Sequence, residues 1–250
     1  MEPISVPASD GWTWIKQGWG MFVKNPGMWI VLILVLIVIW VVASAIPYIG
    51  GLALALISPV LVGGLYLAID TAERGGELEL SKLFSCFQDR EKLNPLLTLG
   101  AVTFGVALVV MLVAAVFIGS SVAALGLASG QPPHMGLGAG LGVTAFLAIG
   151  IILTLQIALS MGMMFGIPLV TLRGVEPIAA LRSSFSGCLK NIPALLVFTL
   201  VGVGLTVVAI IPLGLGLLIL LPLISCATYR AFNAIYPASG EMQPADPETA

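Results

Sequence analysis

Charge is scarce in this chain. Lys and Arg number 10, Asp and Glu 12 and His 1, so charged residues are 9 % of 250, where soluble domains average about 25 %. A net charge of −2 offers no basic surface for nucleic acid. Cysteine is scarce too. Cys86, Cys188 and Cys226 are an odd number without Cys-x-x-Cys spacing, which argues against a disulfide framework and against paired metal ligands. There is no Gly-x-x-x-x-Gly-Lys phosphate loop and no His-Glu-x-x-His. His134 stands alone beside Pro132 and Pro133 and reads as a surface residue. No metal, no cofactor and no catalytic residue is expected, and the protein reads as a non-enzyme. The first 28 residues lack the apolar core of a signal peptide.

What the chain has is hydrophobicity. Apolar residues are 59 % of it, gathered in stretches near the 20 residues that a 30 Å hydrocarbon core requires. Six spans are expected: about 29–46, 52–69, 97–118, a segment within 139–172, 193–211 and 214–229. Span three has room to continue toward Ala128, and the Gly-rich start of span four reads as loop or frayed end. All ten cations then fall on one side: Lys16, Lys24, Arg74, Lys82, Arg90, Lys92, Arg173, Arg182, Lys190 and Arg230. The positive-inside rule makes that side cytoplasmic. The expectation is a multi-pass protein of the bacterial inner membrane with both termini in the cytoplasm. Residues 1–10 and 236–250 read as disordered tails around a single membrane domain, 11–235.

The polar connections carry helical periodicity. In 11–24, Ile15, Trp19 and Phe22 share a face, with Trp12 one turn earlier and Trp14 off it. Leu80, Leu83, Phe84 and Phe87 line a second helix; Ile178, Leu181, Phe185 and Leu189 line a third, led by Pro177. These read as helices lying in the headgroup layer, where the indoles of Trp12 and Trp19 are at home. Each is followed by a similar junction: Lys24-Asn25-Pro26, Lys92-Leu93-Asn94-Pro95 and Lys190-Asn191-Ile192-Pro193. Asn-Pro is expected to close each amphipathic helix, while Lys24, Lys92 and Lys190 reach lipid headgroups. The fold class is therefore an all-α six-helix membrane bundle of three pseudo-repeated hairpins, each led by a cytoplasmic interfacial helix. The units run about 11–70, 77–172 and 174–230. The second span of each carries one proline, Pro59, Pro168 or Pro222. A kink that shapes the bundle is favoured there over a gating hinge.

Within the spans, Gln156 is the most polar residue. With Thr154, Ser160 and Tyr66 it forms the candidate set of intramembrane polar contacts. Hydrogen bonding between helices is the favoured role, and substrate contact the alternative. Gly162 and Gly166 have small-xxx-small spacing with Gly150 further up the span; Gly202, Gly204, Gly214 and Gly216 permit close contact between the last two.

From the three junctions, from Gly11-Trp12 through Trp19, Phe22 and Asn25-Pro26, and from Gly174 to Pro193, the chain resembles a group of bacterial integral-membrane proteins without an agreed molecular function. That group is related to the membrane domain found beside some glycerophosphodiester phosphodiesterases. The resemblance covers residues 11 to about 235. It implies the topology above and no active site. The expected partners are membrane lipids, and with them an unidentified membrane protein or a second copy. The leading expectation is a non-enzymatic role in envelope maintenance or assembly through such contacts. The alternative is a small transporter or permease-like protein with a polar cavity near Thr154, Gln156 and Tyr66.

Overall fold

The computed structural model describes residues 1–47, 49–124 and 137–238. Nine helices and no strand occur among them: α1 (Asp10–Phe22), α2 (Pro26–Ser44), α3 (Ile49–Glu73), α4 (Ser81–Gln88), α5 (Arg90–Ala124), α6 (Leu137–Arg173), α7 (Pro177–Lys190), α8 (Ile192–Ile210) and α9 (Leu217–Ile235). Six of these, α2, α3, α5, α6, α8 and α9, contain segments long and apolar enough to cross a bilayer. The chain is an all-α, multi-pass membrane protein by that measure.

The helices differ in reach. At 1.5 Å per residue, the 19-residue α2, α8 and α9 are about 28 Å long. The 35-residue α5 and 37-residue α6 exceed 50 Å and outrun them at the uncharged end. The Gly-rich start of α6 is helical from Leu137, not the expected loop. His134 lies outside the described residues. α9 continues to Ile235, past the expected end at 229.

Each amphipathic helix packs on the second span of a hairpin: α4 on α3, α7 on α6, and α1 on α9. The spans α3, α6 and α9 also meet one another, and they supply most of the buried side chains. Burial is concentrated where α1, α4 and α7 lie, from Pro59 to Ile69 in α3, Phe165 to Thr171 in α6 and Leu220 to Tyr236 at α9. Towards the other end, the side chains of α2, α5, α6 and α8 are largely exposed. That distribution suits lipid, which solvates apolar side chains and leaves only packing to hold helices together.

Three expectations at the helix ends need correction. Asn94-Pro95 does not close α4. The helix stops at Gln88, Asp89 is extended, and the Asp89 carboxylate accepts the Glu91 N–H at 3.0 Å to start α5. Pro95 therefore sits within the early turns of α5. The second correction is at α1, whose buried face is Gly11, Trp14, Ile15, Gly18, Met21 and Phe22. Trp14 is inside and Trp19 outside, so the face read from the sequence is split. The third is the N-terminal segment. Residues 1–9 form a strap across the end of the last hairpin instead of a free tail. Ile4 N–H donates to Ile235 O at 3.0 Å, Val6 N–H to Asn191 Oδ1 at 2.8 Å, and Asn191 Nδ2 to Ile4 O at 2.9 Å. The C-terminal tail from 239 lies outside the described residues.

Candidate functional site

All ten cations belong to the end of the bundle that carries α1, α4 and α7, and the chemistry is gathered there. Asp70 and Glu73 end α3; Tyr229, Arg230 and Asn233 lie near the end of α9. The Tyr229 hydroxyl donates to Asp70 at 2.8 Å, and Arg230 pairs with Glu73 at 2.5 Å. Asp70 also holds Arg74 at 2.8 Å. From the end of α6, Arg173 donates to Asn233 Oδ1 and to Tyr236 O, both at 3.3 Å, and its guanidinium lies 5.7 Å from the Phe232 ring centre. These charges tie α3, α6 and α9 together. Glu73 Oε2 and the Nε atoms of Arg173 and Arg230 are buried without a hydrogen-bond partner.

The three junction lysines are not equivalent. Lys92 is held by Asp89 at 2.7 Å, and that hydrogen bond draws the Asp89 carboxyl below its usual range. Lys190 donates to Pro3 O at 3.0 Å. Lys24 makes no ion pair among the described residues. It lines a cavity of about 440 Å³ with Asn25, Trp29, Glu73, Glu77 and the turn at Gly75 and Gly76. The asparagines differ in the same way. Asn25 Oδ1 accepts the Met28 N–H at 3.4 Å and caps α2. Asn191 is fully buried and its side chain does not cap α8.

The outward faces of the amphipathic helices carry large apolar side chains. Trp12 and Trp19 are each 48 % exposed on α1. Phe84 and Phe87 are exposed on α4 while Leu83 and Cys86 are buried. On α7 the buried residues are small, Ala180, Ser184, Gly187 and Cys188. Ile178, Phe185 and Leu189 point outward at 47, 40 and 50 % exposure. A helix that hides small residues and displays large apolar ones is reversed for water and ordinary for lipid. Ser184 accounts for the inner choice. Its hydroxyl donates to Met161 O at 2.6 Å and accepts Phe165 N–H at 3.0 Å, so it enters the backbone ladder of α6.

The intramembrane polar set is not brought together. Tyr66 is buried in the core. Thr154 and Ser160 are exposed and bonded within α6, to Gly150 O and Ile157 O, each at 2.8 Å. Gln156 alone lines a lateral groove of about 430 Å³, with Ser44, Ser58, Thr103 and mainly apolar residues of α2, α3, α5 and α6. Gly162 and Gly166 face Leu181 of α7. The helices run on through Pro59, Pro168 and Pro222, all buried.

No group of three His, Cys, Asp or Glu residues among those described stands close enough to hold a metal. Cys86, Cys188 and Cys226 are free thiols in the core. Burial pushes Cys86 and Cys188, both outside the spans, up to about 11. Both are therefore protonated at neutral pH, and the thiol is a poor nucleophile. The expected result is that N-ethylmaleimide at pH 7.5 leaves all three unmodified in the folded protein and labels all three after denaturation. Mass spectrometry of the intact chain reads either state.

The sequence signalled Lys24, Trp12 and Trp19. It gave no hint of the Glu73–Arg230 pair or of the Asn191 clasp, whose partners lie 157 and 185 residues apart. No protein-family model, no curated protein and no solved structure matches the chain.

Proposed function

We propose that this is a non-enzymatic, multi-pass protein of the bacterial inner membrane that acts through lipid contacts at its cation-bearing end, in envelope maintenance or assembly. The observation that carries this reading is the reversed polarity of α7, with Ala180, Ser184, Gly187 and Cys188 inside and Ile178, Phe185 and Leu189 outside. Such a helix is at home half-sunk in a headgroup layer. Placing the ten cations in the cytoplasm follows the positive-inside rule and puts both termini there. The same reading treats the chain as one membrane domain of three pseudo-repeated hairpins. The matching contacts of α4 with α3, α7 with α6 and α1 with α9 support that repeat. In the proposed order each interfacial helix is carried by the hairpin before it, and α1 closes the ring on the last.

Native mass spectrometry of protein released gently from membrane particles tests the function. One lipid class is expected to stay bound, and to be lost when Ile178, Phe185 and Leu189 are replaced together by Ser. Retention of a specific protein subunit with no lipid preference would make the protein a scaffold instead. A permease-like role is the second reading, favoured only by the lateral groove at Ser58, Thr103 and Gln156.

A further inference from the structure

The cavity of about 440 Å³ at the charged end of the first hairpin has two unlike walls. One is the start of α2, with Lys24 and Asn25; the other is the end of α3, with Glu73, the turn at Gly75 and Gly76, and then Glu77. Helix starts carry partial positive charge and helix ends partial negative charge. Here the side chains repeat those signs, the ammonium on the α2 wall and the carboxylates on the α3 wall. Lys24 and Glu77 make no ion pair among the described residues. Glu73 spends one oxygen on Arg230, and its other oxygen is buried without a donor. The lining itself carries one cation, Lys24, and two carboxylates, Glu73 and Glu77, with Arg230 paired to Glu73 outside it, so the charge is polarised across the width of the cavity.

The third hairpin shows what such a place can hold. Between the start of α8 and the end of α9 lies the N-terminal strap, with Lys190 donating to Pro3 O, Asn191 bonded to Ile4 and Val6, and Ile4 N–H donating to Ile235 O. There a polar segment of chain presents acceptors to the helix start and a donor to the helix end. In the second hairpin Asp89 takes the lysine itself. The first hairpin presents the corresponding helix ends, with Lys24-Asn25-Pro26 in place of Lys190-Asn191-Ile192-Pro193 and Asn25 capping α2 itself, around a cavity that no described segment of the chain enters.

We infer that this cavity binds the headgroup of a zwitterionic amine phospholipid, with its phosphate at Lys24 and the start of α2 and its primary ammonium at Glu73, Glu77 and the end of α3. An anionic headgroup brings no cation to meet Glu77, which has no ion-pair partner among the described residues. A quaternary ammonium has no N–H to donate to the carboxylates that line the cavity and needs exposed aromatic faces, whereas Trp29 is buried with its indole N–H on Met21 O at 3.4 Å. The inference rests on the proposed lipid role and specifies the headgroup for it.

The test is native mass spectrometry of the detergent-purified full chain titrated with short-chain phosphatidylethanolamine, phosphatidylcholine and phosphatidylglycerol. One phosphatidylethanolamine is expected to bind with a preference of about tenfold over the other two. Lys24→Gln and Glu77→Gln should each remove the preference, and both residues are exposed, so the fold is kept. Lys16→Gln, in the middle of α1 and outside the cavity, should not. Equal binding of O-phosphoethanolamine, which has no acyl chain, would keep the headgroup chemistry and overturn the lipid as its source. Equal retention of all three lipids, or a preference untouched by both substitutions, would overturn the site. Lipid retention lost only with the α7 stripe would leave the functional reading standing while this inference falls.

Discussion

Asn191→Ala should lower the melting temperature in detergent by roughly 5–10 °C, a loss of about 3 kcal/mol. Asn191 is fully buried, and its carboxamide makes three hydrogen bonds: from Val6 N–H at 2.8 Å, to Ile4 O at 2.9 Å and to Gly187 O at 3.0 Å. Alanine removes all three and leaves strap and helix groups without partners, and each net bond is worth about 1 kcal/mol. Around this clasp Lys190 holds Pro3 O, Ser183 Oγ donates to Met1 O at 2.6 Å, and the Tyr236 hydroxyl donates to Ser183 O at 2.7 Å. The substitution should therefore release residues 1–9 as a unit. Limited proteolysis would then cut before α1 in the variant and spare the parent. Asn191→Asp keeps the acceptor for Val6 but turns a buried carboxylate oxygen toward the carbonyls of Ile4 and Gly187, so it should cost at least as much as alanine. Deleting residues 2–6 should cost about as much as Asn191→Ala, and the two together little more, because they break one network. An unchanged melting temperature with an uncut N-terminus would show that the strap does not hold the last hairpin.

The second large effect is expected at Gly64→Ala. A Cβ at Gly64 would lie 2.0 Å from Leu83 O and 2.6 Å from its carbonyl carbon. Those are backbone atoms of α4, so no rotamer change relieves the overlap and the two helices must separate. Overpacking of this kind costs about 1–3 kcal/mol and sometimes more; contact with the Leu83 backbone alone, with no side chain to give way, puts Gly64 at the upper end. Gly18 is the corresponding close approach between α1 and α9. A Cβ there meets Ala227 N and Leu223 O at 2.8 Å, a smaller overlap with a smaller expected loss. Gly20 lies on the same helix with nothing within 4 Å. Gly20→Ala should be neutral or gain up to about 1 kcal/mol from helix propensity. The order of thermal stability in detergent should be Gly20→Ala, Gly18→Ala, Gly64→Ala, with little monodisperse Gly64→Ala recovered. Gly64→Ala tolerated as well as Gly20→Ala would mean that α4 does not seat on α3 as described.

What was legible in the sequence was what depends on nearby residues. Charge scarcity and the gathering of all ten cations marked the spans and the end that carries them, and Pro177 with Asn191-Ile192-Pro193 bracketed α7, which runs from Pro177 to Lys190. At α1 the apolar residues spread over about half of the helix, wider than the contact face, so periodicity alone did not separate Trp14, packed near Phe198 at 6.1 Å between ring centres, from Trp19 outside. The better signal was the pair Gly11 and Gly18, two turns apart on the contact face. At α4, Asp89 outcompeted Asn94-Pro95 because its carboxylate is placed to take the Glu91 N–H, and a proline is tolerated in early helical turns. The strap was invisible for another reason. Its partner Asn191 stands at the far end of the chain, and a short polar segment with two prolines looks the same whether docked or not. Lys24, Lys92 and Lys190 share a motif, yet Lys92 is taken by its neighbour Asp89 and Lys190 by the distant Pro3, while Lys24 lines a cavity.

The proposed function requires α7 to lie against lipid with its large side chains outward. A nitroxide attached at Phe185→Cys in the reconstituted protein tests this directly, since the buried native thiols stay unlabelled. Collisions with dissolved oxygen, which concentrates in the bilayer, should exceed those with a water-soluble nickel chelate. The balance should reverse at Ser186→Cys, an exposed position about 100° further round the helix. A label at 185 relaxed mainly by the aqueous reagent would place the stripe in water and contradict the account.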